Sequence, residues 1–199
     1  RSRGLGDVYK RQLYTIEVDA APPAPVREEQ KRYRSDLPVA VIGMGPAGLF
    51  AALSLARAGL NVLLAERGKP VEARARDVDR LEACGEMDPE SNVLFGEGGA
   101  GAFSDGKLTC GLNSPHIRTV LGTLVRCGAP EEILVAQRPH IGTDELRRVL
   151  VGVRAALRRL GAEVRFETRL TGLILREGRI AGARLTGAAG EEELATDTV

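Results

Sequence analysis

Gly43, Gly45 and Gly48, with an acid at Glu66, are the residues of this chain whose types and spacing point most directly to chemistry. The three glycines form a GxGxxG turn, and the chemistry is the holding of a pyrophosphate against bare main chain. Gly43 allows the tight turn. Gly45 lets the backbone approach the phosphates with no Cβ in the way, and Gly48 lets a following helix lie close. Pro46 suits the first helical position, where a missing N–H costs nothing. The free N–H groups of that first turn, together with the helix dipole, then face an anion. Glu66 lies 23 residues after Gly43. It can accept hydrogen bonds from both hydroxyls of a ribose, and its charge would repel a 2′-phosphate.

Such a turn works only between two strands and at the head of a helix. Val39–Ile42 reads as a fully buried parallel strand, a small-residue helix runs on to Gly59, and Val62–Ala65 reads as the next strand with Glu66 at its end. Gly48, Ala52 and Leu55 share one helix face. Val71–Cys84 has helical spacing, whereas FGEGGAGAFSDGKL, Phe95–Leu108, is too glycine-rich for a regular element and must be a loop packed closely against something. Arg118–Arg126 and Glu131–Val135 read as short helices. Asp144–Leu160 is a longer one, capped by Thr143, with Leu146, Val149, Leu150, Val153, Leu157 and Leu160 in one stripe. Val164–Phe166 resumes the sheet, and Leu170–Leu175 with Ile180–Thr186 flank a hairpin turn. The expected fold is α/β: an FAD/NAD(P)-binding, Rossmann-like parallel sheet with a β-meander and an inserted helical and loop segment, truncated.

With 199 residues and a net charge of +1, the chain can bury one core and has no global basic field for nucleic acid. No apolar run reaches membrane-spanning length. Cys84, Cys110 and Cys127 lack paired spacing, which argues against a disulfide scaffold and fits partly buried small hydrophobes in a reducing cytoplasm. With His116 and His140 the only histidines and no clustered ligands, no metal site is expected. His140 precedes a helix and reads as a backbone-bonded residue there, with acid, base or ligand roles as the alternative.

Asp7–Gln12, DVYKRQ, looks like translated adapter sequence, so residues 1–12 are expected to be non-native. Residues 13–36 read as the end of an N-terminal module plus a solvated linker, and 37–199 as the nucleotide-binding domain, incomplete at its C-terminus. Glu191–Val199 reads as an unfinished strand, and the whole as a fragment of a longer gene.

Gly101–Lys107 satisfies GxxxxGK, but Leu108 stands where a phosphate loop needs Ser or Thr for magnesium, and no strong strand precedes it. A nucleoside triphosphatase is therefore disfavoured. Lys107 has two readings, a cation at the N1–C2=O edge of a flavin or a loop charge paired with Asp105. The layout itself favours a flavin. About 95 residues separate Glu66 from Val164, and such an excursion is expected where a second domain is inserted to clamp a flavin along its length.

The segment Val39–Arg67 resembles the glutathione-reductase-type FAD-binding flavoproteins. ERG at Glu66–Gly68, Arg74, SNVLFGEGGAGAFSDGKL at Ser91–Leu108, GAPEEI at Gly128–Ile133 and PHIGTDELRRVL at Pro139–Leu150 resemble an uncharacterised bacterial family of FAD-dependent dehydrogenases. The resemblance covers about residues 37–199. It implies FAD as cofactor, with NAD(P)H a possible electron donor. Gly43, Gly45, Pro46, Ala47 and Gly48 would hold the pyrophosphate, and Glu66 the adenosine ribose with Arg67 beside it. Leu170 would read the adenine edge through its backbone, Gly98–Gly99 would approach the flavin ribityl or ring, and Arg74 belongs to the same matched set. The implied activity is electron or hydride transfer to or from a small molecule, with catalytic residues unassigned. The alternatives are a flavin-binding RNA-modification or assembly protein, which near-neutral charge and 4% aromatic content disfavour, and an NAD(P)-dependent dehydrogenase without flavin.

Overall fold

The run VLLA explains why this chain has two layers. In the computed structural model, which describes residues 36–104, 107–108, 114–136 and 138–199, this segment is strand β2 (Val62–Ala65) and all four of its residues are buried. Alternate side chains point to opposite faces of a strand. Val62 and Leu64 pack into the main core with the helices, while Leu63 and Ala65 pack with Leu185 on the other side. A strand covered on both faces needs a continuous apolar run, as parallel strands do.

Strand β1 (Val39–Ile42) pairs with β2 in parallel, from Val39 opposite Val62 to Ile42 opposite Ala65. Strand β3 (Glu163–Arg165) lies parallel on the far side of β2, so the order is β1-β2-β3. The second layer is an antiparallel meander of β4 (Arg169–Arg176), β5 (Arg179–Gly187) and β6 (Gly190–Leu194). Its first turn places both Glu177 and Gly178 at positive φ, the geometry a two-residue hairpin loop requires. This is the Rossmann-like parallel sheet with a β-meander expected from the sequence.

Helix α1 (Pro46–Arg57) leads from β1 to β2, and α2 (Val71–Cys84), α3 (His116–Arg126) and α4 (Thr143–Arg159) lie between β2 and β3. The buried faces of α1 (Leu49, Ala52, Leu53 and Ala56) and α4 (Val149, Leu150, Val153 and Leu157) meet over the sheet in one core.

Several expectations need correction. β1 is not fully buried, since Val41 is half-buried and Ile42 is exposed at the strand's end. Leu55 is only half-buried, and the α1 stripe runs through Leu53 and Ala56 instead. Thr143 is not a cap: Gly142 holds that position, and Thr143 is the first helical residue with no side-chain cap bond at the helix end. Leu160 is exposed just past the α4 terminus, whereas Arg154 is buried within the helix. Glu131–Leu134 is a 3-10 helix. Cys84 is exposed and Cys127 half-buried, with burial pushing the Cys127 thiol up. Residues 195–199 do not prolong the last meander strand. They return to β1, where Ala40 N donates to Thr198 O at 3.0 Å and Thr196 Oγ1 donates to Pro38 O at 2.7 Å. The expected adapter, N-terminal strand and nearly all of the linker lie outside the described residues, as do Cys110 and Asp105.

Candidate functional site

The site begins where β1 ends. Gly43 turns the chain at φ +96°, and its N–H donates to Ala65 O at 2.7 Å. A Cβ on Gly48 would lie 1.9 Å from the Gly43 carbonyl oxygen, so only glycine lets α1 start this close to the strand. Gly45 differs. Its φ of −68° and ψ of 174° suit any residue, and a Cβ there meets nothing within 4 Å. Its bareness therefore serves the space in front of it rather than the fold. No side chain caps α1 at Gly45, and Pro46 and Ala47 are exposed at its first turn, leaving a helix N-terminus open to an anion.

Glu66 closes the other side. Its Oε2 accepts Met44 N at 2.7 Å, while Oε1 accepts Gly68 N at 2.8 Å and Gly96 N at 3.2 Å. A carboxylate offers about four lone-pair sites, so three main-chain donors leave capacity for one hydroxyl, not the two the sequence suggested. The same donors compensate its charge, which weakens the expected repulsion of a 2′-phosphate. Sequence reasoning placed Glu66 at the site but not this second task of tying β1, β2 and the glycine-rich loop together.

That loop lies against the turn. Gly98 N donates to Met44 O at 2.8 Å, and a Cβ on Gly99 would sit 3.2 Å from the Gly45 Cα. Gly98 itself faces inward, where a Cβ would meet Leu150 at 2.3 Å. Of the loop pair, only Gly99 lines the groove. The groove, about 450 Å³, runs past Gly43, Gly45, Glu66, Arg67, Gly99 and Leu170, so it brings together six of the residues singled out from sequence. Its further walls are Ile42, Leu94, Phe95, Gly96, Thr168 and Arg169.

Arg74 and Lys107 stand apart from it. Arg74 is fully buried behind the loop, where Nε donates to Asn92 O at 2.7 Å and Nη1 donates to Glu97 O and Gly99 O at 2.7 and 2.8 Å. Its Nη2 is buried without a partner, and burial brings the guanidinium pKa down to about 10. Arg74 shapes the loop rather than the groove wall. Lys107 forms a backbone bridge with His140 and borders a different, apolar cavity between α1, α3 and α4. Its proposed partner Asp105 lies outside the described residues.

A buried charge network was missed by sequence reasoning. Glu97 Oε2 accepts Val71 N at 2.8 Å and Arg154 Nη1 at 2.9 Å, and Arg154 also pairs with Glu72. Burial pushes the Glu97 carboxyl up. The one available signal was an acid inside a glycine-rich stretch, a charge with no obvious solvated face. Among the described residues, no group of three or more His, Cys, Asp or Glu side chains is placed to hold a metal ion, and no helix is long and apolar enough to cross a membrane.

The donor set suits a dinucleotide: open helix N–H groups and bare glycines for a pyrophosphate, and a carboxylate with one remaining acceptor site for a ribose. Residues 38–76 match the FAD binding domain family, which supports FAD as the cofactor. An uncharacterized protein from Clostridium beijerinckii is 44% identical over 147 residues, covering 74% of this chain and 28% of its own length. A digeranylgeranylglycerophospholipid reductase from Methanosarcina acetivorans is 32% identical over 161 residues, covering 78% of this chain and 35% of its own. This chain thus spans about a third of the length of these relatives. The crystal structure of a 3-ketosteroid-delta4-(5alpha)-dehydrogenase from Rhodococcus jostii shares the fold with a TM-score of 0.50 at 17% identity, over 84% of this chain and 46% of that one.

Proposed function

We propose that residues 37–199 are the FAD-holding part of a flavin-dependent oxidoreductase that acts on a small molecule, with NAD(P)H a candidate electron donor. The observation that carries this reading is Gly45, a bare residue with unstrained backbone that opens into a groove also lined by Glu66. The FAD binding domain match and the reductase among the relatives support it.

Gly43, Gly45 and the first turn of α1, with Pro46, Ala47 and Gly48, would hold the pyrophosphate. Glu66 would accept one ribose hydroxyl, with Arg67 and Leu170 flanking the adenosine end and Gly99 the opposite side of the turn. When bound, the flavin supplies electron or hydride transfer. The chain's own contribution is to hold that cofactor extended and to keep the glycine-rich loop packed over its phosphates, excluding water. A reducing, cytoplasmic setting fits the three cysteines without paired spacing.

Titration of the purified chain with FAD and with NADH, followed by visible absorbance after desalting, tests this. Retention of a yellow species by wild type, with its loss in Gly45→Val, is the expected result. Uptake of NADH and not FAD would overturn the flavin assignment in favour of a pyridine-nucleotide dehydrogenase.

A further inference from the structure

Beyond Glu66 the groove wall carries a side chain that is held from two directions. Arg67 Nε donates to Glu90 Oε2 at 2.6 Å, and its guanidinium carbon lies 4.3 Å from the centre of the Phe95 ring. The other oxygen of Glu90 accepts Arg169 Nη1 at 3.1 Å. These residues come from three places, the end of β2, the loop after α2 and the start of β4, and Arg67, Phe95 and Arg169 all line the groove. Ion pairs this exposed add little to folding, so stability alone gives no reason for the arrangement. Phe95 and its neighbour Leu94 are 37% and 61% exposed. They are an apolar pair facing water on the groove wall, a patch that favours being covered.

We propose that the adenine of the dinucleotide stacks on a joint surface of the Arg67 guanidinium and the Phe95 ring, with Glu90 a positioning residue that holds Arg67 in place. This rests on the FAD reading above and adds how the base end is recognised. A guanidinium is planar, delocalised and weakly hydrated, so it stacks well on π faces. A free arginine would lose rotamer freedom when a base lands on it, but here that freedom is already gone in the unliganded wall. A purine covers more of such a surface than a pyrimidine, so the site favours ADP over UDP.

Calorimetric titration of the full chain with ADP, UDP and FAD tests the assignment. Phe95→Ala weakens ADP about tenfold, within the range for loss of one base–aromatic stack, and weakens UDP less, so the preference between them narrows. Phe95→Tyr keeps the ring and the preference. Phe95→Leu keeps the apolar bulk but loses the preference, which covers the case in which the alanine variant folds poorly. Glu90→Gln weakens ADP severalfold, and that loss disappears in an Arg67→Ala background because Glu90 acts through Arg67. Unchanged ADP affinity in Phe95→Ala, with binding abolished by Gly45→Val, would overturn the stacking surface and leave the cofactor reading standing. Equal losses for ADP and UDP would show Phe95 only shaping the groove, which also overturns it. Failure of the wild-type chain to take up either ADP or FAD would overturn both readings.

Discussion

The main-chain N–H of Met44 points at Glu66, donating to Oε2 at 2.7 Å, although 22 residues separate them. Met44 stands between the first two glycines of the turn, and its carbonyl accepts Gly98 N from the distant loop. Glu66 also takes the N–H groups of Gly68 and Gly96. One 5%-exposed carboxylate thus sets the distance between three backbone segments that line the groove.

Glu66→Gln should therefore damage the fold as well as binding. The amide retains one acceptor oxygen and turns an NH₂ toward N–H donors, leaving at least one buried donor unmatched, at a cost of about 1–3 kcal/mol. Urea unfolding should show a loss of that size together with weakened FAD uptake. Unaltered stability would mean that the three amides find other acceptors.

Gly48 and Gly45 should separate folding from binding. In Gly48→Ala the new Cβ has to displace the Gly43 carbonyl from 1.9 Å, so α1 shifts and the thermal midpoint falls. In Gly45→Val the side chain enters open groove, and the cost to folding stays near that of a poorer helix cap, about 1 kcal/mol. FAD uptake should nevertheless be lost. Circular dichroism melts with a cofactor titration check both, and a Gly45→Val protein that still binds would place the ligand elsewhere.

These contrasts also show which parts of the fold and site were legible in the sequence. Val62–Ala65 was readable to the residue because a strand buried on both faces must be an unbroken apolar run, and the glycines before it have spacing with a steric cause. The bounds of Val39–Ile42 were read correctly but its burial was not, because Val41 is half-buried and Ile42 is exposed on the groove wall. Leu170 was reachable only through resemblance, since nothing in its local pattern says that the start of β4 meets the end of β1. Arg74 was singled out only as one of the matched cofactor-site residues, because a sequence shows a cation without showing which carbonyls surround it. Glu97, Arg154 and Glu90 act across 57, 82 and 79 residues of chain in the contacts that define them. No local periodicity encodes pairs so far apart.

Arg74→Lys should loosen the loop without dismantling the sheet. The guanidinium reaches the carbonyls of Asn92, Glu97 and Gly99 at once from a planar fork. An ammonium on a flexible stem lacks that geometry. Losing one or two of these charge-assisted bonds costs roughly 2 kcal/mol, and the Gly96, Gly98 and Gly99 amides should exchange with solvent faster while those of β2 stay protected. Hydrogen exchange with mass spectrometry reads this directly, and identical protection in the variant would show that the loop holds its shape through its other contacts, to Glu66, Met44 O and Arg154.

The Glu97–Arg154 pair makes a prediction in pH. Burial raises the Glu97 carboxyl above its ordinary value, and Arg154 only partly offsets this. Between the unfolded and folded values the native chain binds more protons than the unfolded one. The contribution of this group is therefore complete below the unfolded value and is lost as pH rises through the folded one. Glu97→Gln removes that proton while keeping an oxygen for Val71 N or Arg154, so its stability relative to wild type should improve as pH rises from the ordinary glutamate range toward neutrality. Arg154→Met should do the opposite, leaving a buried carboxylate without its partner at a cost of about 3–5 kcal/mol at neutral pH, with part of the loss recovered in acid as Glu97 takes up a proton. Denaturation midpoints of the three proteins across this range decide the matter. Parallel pH profiles would show that Glu97 titrates alike in the folded and unfolded chains, with Arg154 and Val71 N fully offsetting burial.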